Sequence, residues 1–217
     1  MATMANRKTL TLMILAIPFA VFLTGCSGGV NGEGTNTYSQ TNGTPIVRAA
    51  NFNDQGWSLF ERGQYESALT TFNQVLGDNP TAEEEAEANN GVGWARGRIG
   101  QLKDGIPWFL KAVGLSHDAK VGLAGAYIQS ASKADLEAAA DLLFTKLGGG
   151  NPHFHYVPRR STGVSDAEAH AMLAYCYAAV GKSEDAITQL DYAKELNPAW
   201  ASSTIDQISR MVDFLQM

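Results

Sequence analysis

Leu173-Ala174-x-x-Tyr177-x-x-x-Gly181, followed by Ala186-Ile187-x-x-Leu190-x-x-Ala193 and then Pro198, is the stretch that decides the fold. Apolar residues recur at helical spacing on both sides of Gly181. Gly181 stands where a first helix would end in a left-handed cap, and Pro198 where a second would stop. Small residues at 174, 186 and 193 let two antiparallel helices approach closely, and Tyr177 and Leu190 fill the space between them.

The same pattern recurs upstream. Gly56-Trp57, Gly63-x-Tyr65-x-x-Ala68-Leu69-x-x-Phe72-x-x-Val75 and Pro80 form one unit. Gly93-Trp94 and Gly100-x-Leu102-x-x-Gly105-Ile106-x-x-Phe109-x-x-Ala112 form another. The Gly-Trp pairs, the turn glycines 63 and 100, and Phe72 and Phe109 are each 37 residues apart. Gly105 stands where alanine is expected, and Pro107 falls early in its helix, where proline is tolerated. Residues 119–131 and 134–147 read as a further helix pair with a blurred motif, the second capped by Ser132. Thr81-x-x-Glu84 and Ser165-x-x-Glu168 are capping boxes for helices starting near Ala82 and Asp166. Residues 199–215 form an amphipathic helix suited to covering a solenoid end.

This pattern resembles the tetratricopeptide repeat over about residues 49–215. The alternative is an unrelated helical bundle. The resemblance implies an all-α, right-handed solenoid of about four helix pairs plus a C-terminal capping helix, in a domain spanning 49–217. It also implies that the first helices of the pairs line a concave surface that binds extended peptides or partner helices.

The N-terminus reads differently. Arg7 and Lys8 precede a largely apolar, uncharged run of 14 residues, 10–23. That is shorter than the roughly 20 residues of a bilayer span and fits a secretory signal. It ends in Leu23-Thr24-Gly25-Cys26, which resembles the lipobox of bacterial lipoproteins. The resemblance implies a signal peptide over 1–25 and diacylglycerol attached to the Cys26 thiol; the alternative is an ordinary signal or a short anchor that contains a cysteine. Ser27 is not the aspartate that retains enterobacterial lipoproteins in the inner membrane, which favours an outer-membrane location facing the periplasm. Residues 26–48 then form a tether, rich in Gly, Asn, Thr and Ser from 28 to 44, with too little apolar surface to order itself.

Composition narrows the functions. Hydrophobic content of 45% with 18% charged residues is that of a globular chain. Removing the leader leaves 14 bases against 22 acids. That balance argues against nucleic acid and against electrostatic adhesion to anionic lipid, so membrane contact falls to the N-terminal lipid. No phosphate loop, nucleophile elbow, dinucleotide fingerprint or zinc-protease motif occurs, so neither an enzyme nor a cofactor is expected.

Three features invite a chemical reading. Cys176 lies in an apolar helix and reads as a small buried hydrophobe. The long loop 148–165 carries His153, Phe154, His155, Tyr156, Arg159 and Arg160. Its histidines, with His170, could hold a metal, but zinc needs a fuller ligand set and no metal is expected. The loop reads either as a partner-docking element or as an insertion whose aromatics pack back onto the helices. In the repeat register, Trp57, Trp94 and Tyr175 face the concave groove, with Asn53, Asn90 and Arg98 on neighbouring turns. Such a row suits a hot-spot surface, unless the rings turn inward against the adjacent pair. The chain therefore reads as a lipid-anchored envelope scaffold binding a protein or peptide through an open concave face. The alternative is a glycan- or small-ligand-binding lipoprotein using Trp57 and Trp94 as stacking platforms.

Overall fold

The computed structural model describes residues 45–216. The leader, Cys26 and most of the tether lie outside them. Among the described residues there are nine α-helices and no strand: α1 (Pro45–Glu61), α2 (Tyr65–Leu76), α3 (Ala82–Ile99), α4 (Ile106–Ala112), α5 (His117–Ser130), α6 (Lys133–Asp141), α7 (Asp166–Ala179), α8 (Ser183–Leu196) and α9 (Thr204–Gln216). Each odd helix from α1 to α7 packs on the even helix that follows it, the pairs stack through α2–α3, α4–α5 and α6–α7, and α9 closes the end on α7. The fold is the expected helical-repeat solenoid of four pairs with a terminal helix. Its first helix opens at Pro45, ahead of the residue 49 read from sequence.

The 37-residue repeat has a packing basis. Trp57 meets Phe72 edge-on at 5.3 Å between ring centroids, and Trp94 meets Phe109 at 5.6 Å. Glycine makes room for both phenylalanines. A Cβ on Gly56 would stand 2.5 Å from the Phe72 ring, and one on Gly91 would overlap that ring from the next pair. Gly93 and Gly122 flank Phe109 in the same way. Gly105 replaces the expected alanine because a Cβ there would lie 2.5 Å from the Gly93 carbonyl oxygen.

Most helix ends follow their sequence signals. Thr81 and Ser165 form reciprocal capping boxes with Glu84 and Glu168, and Ser132 caps α6. Gly63 and Gly181 adopt the left-handed conformation, with φ of 74° and 83°. Pro107 sits in the first turn of α4, behind a 3₁₀ turn at Leu102–Gly105.

Four local readings need correction. Gly100 ends α3 at φ −126°, outside the left-handed region, with the Asp104 carboxylate against it. Ser116 opens α5 at His117, ahead of Ala119, by accepting from the Ala119 N–H. The α6 helix gives way to a π-helical turn at Leu142–Leu147. The helix read over 199–215 is broken: Trp200–Ser202 is a 3₁₀ turn, Ser203 is extended, and its hydroxyl accepts from the Ile205 N–H at 3.2 Å to start α9.

Candidate functional site: a strap across the first helices

The helices α1, α3, α5 and α7 share the face that the repeat resemblance makes concave. That face is occupied. The connection from α6 to α7 runs across it as a strap, touching all four first helices before returning to Ser165.

The root of the strap is fixed near α7 and α8. Phe154 stacks on His170 at 4.0 Å. The two ring nitrogens of His170 lie 2.9 Å from the Phe154 carbonyl and 2.6 Å from Gln189 Oε1. Gln189 Nε2 donates to the Pro152 carbonyl. Asp166, in the first turn of α7, accepts from the Tyr156 N–H at 2.8 Å and lies 3.0 Å from His155 Nδ1.

Further out, one buried carboxylate organises the chain. Asp118 of α5 accepts from the Tyr156 hydroxyl at 2.8 Å, the Arg159 N–H at 3.1 Å and the Arg160 N–H at 2.9 Å. Burial pushes its carboxyl above the usual range, against the downward pull of those three bonds. Burial and the nearby Asp118 charge raise the Tyr156 phenol, so it stays protonated and donates. The Arg160 side chain reaches on to α3 and α1: Nε donates to Glu87 at 2.5 Å and a terminal nitrogen donates to Asp54 at 3.0 Å. Burial opposes charge on Arg160, but Glu87 and Asp54 outweigh it and raise its pKa. Its guanidinium also stands over the Trp57 ring at 5.6 Å. From α3, Arg98 donates to the Thr162 carbonyl at 2.8 Å.

The expected open groove is therefore corrected. Trp57 and Trp94 are 1% and 2% exposed, and Asn53 and Asn90 are equally buried. Trp57 and Trp94 are covered because the second-helix phenylalanines pack on one side of them and the strap crosses the stripe they belong to. At 100° per residue, Glu87, Trp94 and Arg98 lie within about 40° on α3, with Asn90 beside them; the two outer members of that stripe bond the strap. Asn53 donates to the Glu84 carbonyl. Asn90 pairs with no protein group among the described residues, nor do the indole N–H groups of Trp57 and Trp94 or Asn53 Oδ1. Tyr175 is half-buried and Arg98 is a strap holder.

The other candidates are absorbed into the fold. His153 and His170 each lie against Tyr192 at 4.7 Å between ring centroids, and among the described residues no group of three His, Cys, Asp or Glu is placed to hold a metal. Cys176 is fully buried and unpaired, its thiol pKa raised by burial. Sequence reasoning missed Asp54, Glu87 and Asp118. The available signal was slight: Glu87 stands in the acid-rich first half of α3 and Asp118 in the first turn of α5, where acids are ordinary, with Arg159-Arg160 in an overlong loop to match them.

Two clefts flank the strap. One, of about 570 Å³, is lined by Phe60, Tyr65, Arg98, Arg160, Thr162 and Glu168. The other, of about 300 Å³, is lined by Glu83, Glu87, Leu115, Asp118, Val157 and Arg159.

Stacked antiparallel pairs with small residues at the crossings and a self-bound strap on the inner face define a helical-repeat solenoid. Residues 53–120, from within α1 into α5, match the tetratricopeptide repeat family. Searches of curated proteins and of solved structures returned no match. Tetratricopeptide repeats mediate protein–protein interaction, and the match indicates no catalytic family.

Proposed function

We propose that this chain is a lipid-anchored adaptor of the cell envelope, held on the periplasmic side of the outer membrane, that binds a protein partner on its concave side. The observation that carries the binding role is the strap itself. The inner face already grips an extended piece of polypeptide, taking main-chain N–H groups with Asp118, a main-chain carbonyl with Arg98, and guanidinium with Glu87 and Asp54. This is the chemistry by which a groove holds a peptide. The anchoring half rests on the apolar run ending in Leu23-Thr24-Gly25-Cys26. A glycan reading is not supported, since its stacking platforms, Trp57 and Trp94, are inside.

Site-specific photocrosslinking tests the binding role. Val157, on the strap, is 78% exposed, and Leu110, on the second helix α4, is 51% exposed. A crosslinker at 157 is expected to capture a discrete protein in cells, and one at 110 is expected not to. Capture at 110 alone, or equal capture at both, would place the interaction elsewhere.

A further inference from the structure

The strap has two unlike parts. Its root is embedded: Phe154, Tyr156 and Val164 are buried. Its tip, 157–163, exposes Val157, Pro158, Arg159, Ser161 and Gly163 and buries one residue, Thr162. The tip is held by the polar contacts of Asp118, Glu87, Asp54 and Arg98. It turns back at Gly163, whose φ is 86°. A segment held this way opens locally at less cost than the helices beneath it.

Buried polar groups on the first helices are also left without a protein partner. Asn90 is fully buried on the same stripe as Glu87 and Arg98, and neither end of its amide has a protein partner. The same holds for the indole N–H groups of Trp57 and Trp94. Buried polar groups are ordinarily paired. Of these groups, the Trp57 indole lies under the tip, with the Arg160 guanidinium 5.6 Å from its ring centroid, and a second main chain offers carbonyls at every residue to pair it.

From these observations we propose that the strap tip is a built-in stand-in for the partner. It closes a peptide groove, and the true occupant is an extended segment carrying arginine, which displaces residues 157–163 and takes over Asp118, Glu87 and Asp54. This rests on the adaptor reading above and names its ligand class. Charge selects that class, because three carboxylates from α1, α3 and α5 converge on one guanidinium and two adjacent main-chain N–H groups. Tethering keeps the tip at high effective concentration, so a partner must bind the open groove more tightly than the tip does or bring added contacts. The Trp57 indole N–H, beneath Arg160, is one place for such a contact.

The probe is a fluorescein-labelled peptide with the chain's own tip sequence, Val-Pro-Arg-Arg-Ser-Thr-Gly, read by anisotropy against the full-length protein in detergent. An Arg159→Ala/Arg160→Ala variant weakens the tip and leaves the groove acids in place. It is expected to bind the peptide at least about tenfold more tightly than wild type, because the competent state is no longer masked. Adding Asp118→Asn and Glu87→Gln should abolish that gain, and a peptide with both arginines replaced by alanine should not bind. A folded variant that gains no peptide affinity, or binds the alanine peptide equally well, overturns the proposal. So does a variant that dimerises without binding peptide, since the occupant would then be a second copy's strap. If the variant does not fold, hydrogen exchange on wild type decides. The Arg159 and Arg160 amides should exchange well before those of α3 and α5, and exchange only on global unfolding overturns the proposal. A partner crosslinked through position 157 whose capture the loosened tip does not change would leave the adaptor reading standing and retire the exchange.

Discussion

Phe72 and Phe109 each fill a slot walled by two glycines, one on the preceding helix and one on the next pair. A methyl group added there has nowhere to go, because ring and backbone are both fixed by neighbours. Gly93→Ala should therefore destabilise the protein by about 1–3 kcal/mol, as overpacking does. Gly114→Ala is the control: its Cβ meets nothing within 4 Å, and its effect should stay within about 0.5 kcal/mol. Urea midpoints of the two variants compare them directly. Asp118 offers a test of a different kind. Burial raises its carboxyl pKa, so the folded state holds that proton more tightly than the unfolded chain does. Stability from this group is fully present below the unfolded value, roughly 3.9, and is lost as pH rises through the folded one. Asp118→Asn does not titrate, so its deficit relative to wild type should be largest near about pH 4 and narrow toward about pH 7. Urea denaturation of both proteins across that range measures the gap. A gap that widens with pH would mean that the hydrogen bonds from Tyr156, Arg159 and Arg160 outweigh desolvation.

Among elements, α9 and the strap are both covers, and they differ in how they were written. The α9 helix is amphipathic, burying Ile205, Ile208 and Val212 while Phe214 stays exposed. Ile205→Ala should cost about 2–4 kcal/mol through the cavity it leaves, whereas Phe214→Ala should be near neutral; thermal unfolding separates them. Thr81→Ala, which removes a reciprocal cap, should cost about 1 kcal/mol. Such elements were legible because their determinants are local. A 3.6-residue apolar period, a Thr-x-x-Glu, or a glycine forced to positive φ speaks within one turn of helix. The break before α9 was missed because Ser202, Ser203 and Thr204 interrupt no apolar period, while the Ser203 hydroxyl still competes for a backbone N–H. That the aromatics of loop 148–165 pack back onto the helices was one of its two readings, and Phe154 and Tyr156 do so; the path of the strap across α1, α3 and α5 was not legible, for a deeper reason. Its contacts to Asp118, Glu87, Arg98 and Asp54 join residues 38 to 106 positions apart, from Tyr156–Asp118 to Arg160–Asp54, and are polar, so they leave no period. The register that set Trp57 and Trp94 on the first-helix stripe left open that the rings turn inward, but did not say which helices the returning chain would cross.

For the whole molecule, the decisive link is between the folded solenoid and the membrane. Residues 26–217 carry 14 bases against 22 acids, so electrostatic attraction to anionic lipid is unfavourable. Among the described residues no helix is long and apolar enough to cross a bilayer. Membrane attachment, in the proposed function, then falls to acyl chains on Cys26, each buried methylene contributing about 0.8 kcal/mol. Cys26→Ser cannot form the thioether. It should move the protein from the detergent-rich to the aqueous phase and out of the salt-washed membrane pellet. Far-UV circular dichroism should not change, because the nine helices begin at Pro45 and none of their contacts described above requires Cys26. Partner capture through position 157 should persist in detergent extract but fall in intact cells, where anchoring holds the adaptor near an envelope partner. A Cys26→Ser protein that stayed in the detergent phase with its helices intact would show that something other than this thiol holds the domain at the membrane. The adaptor would then need a different route to its partner.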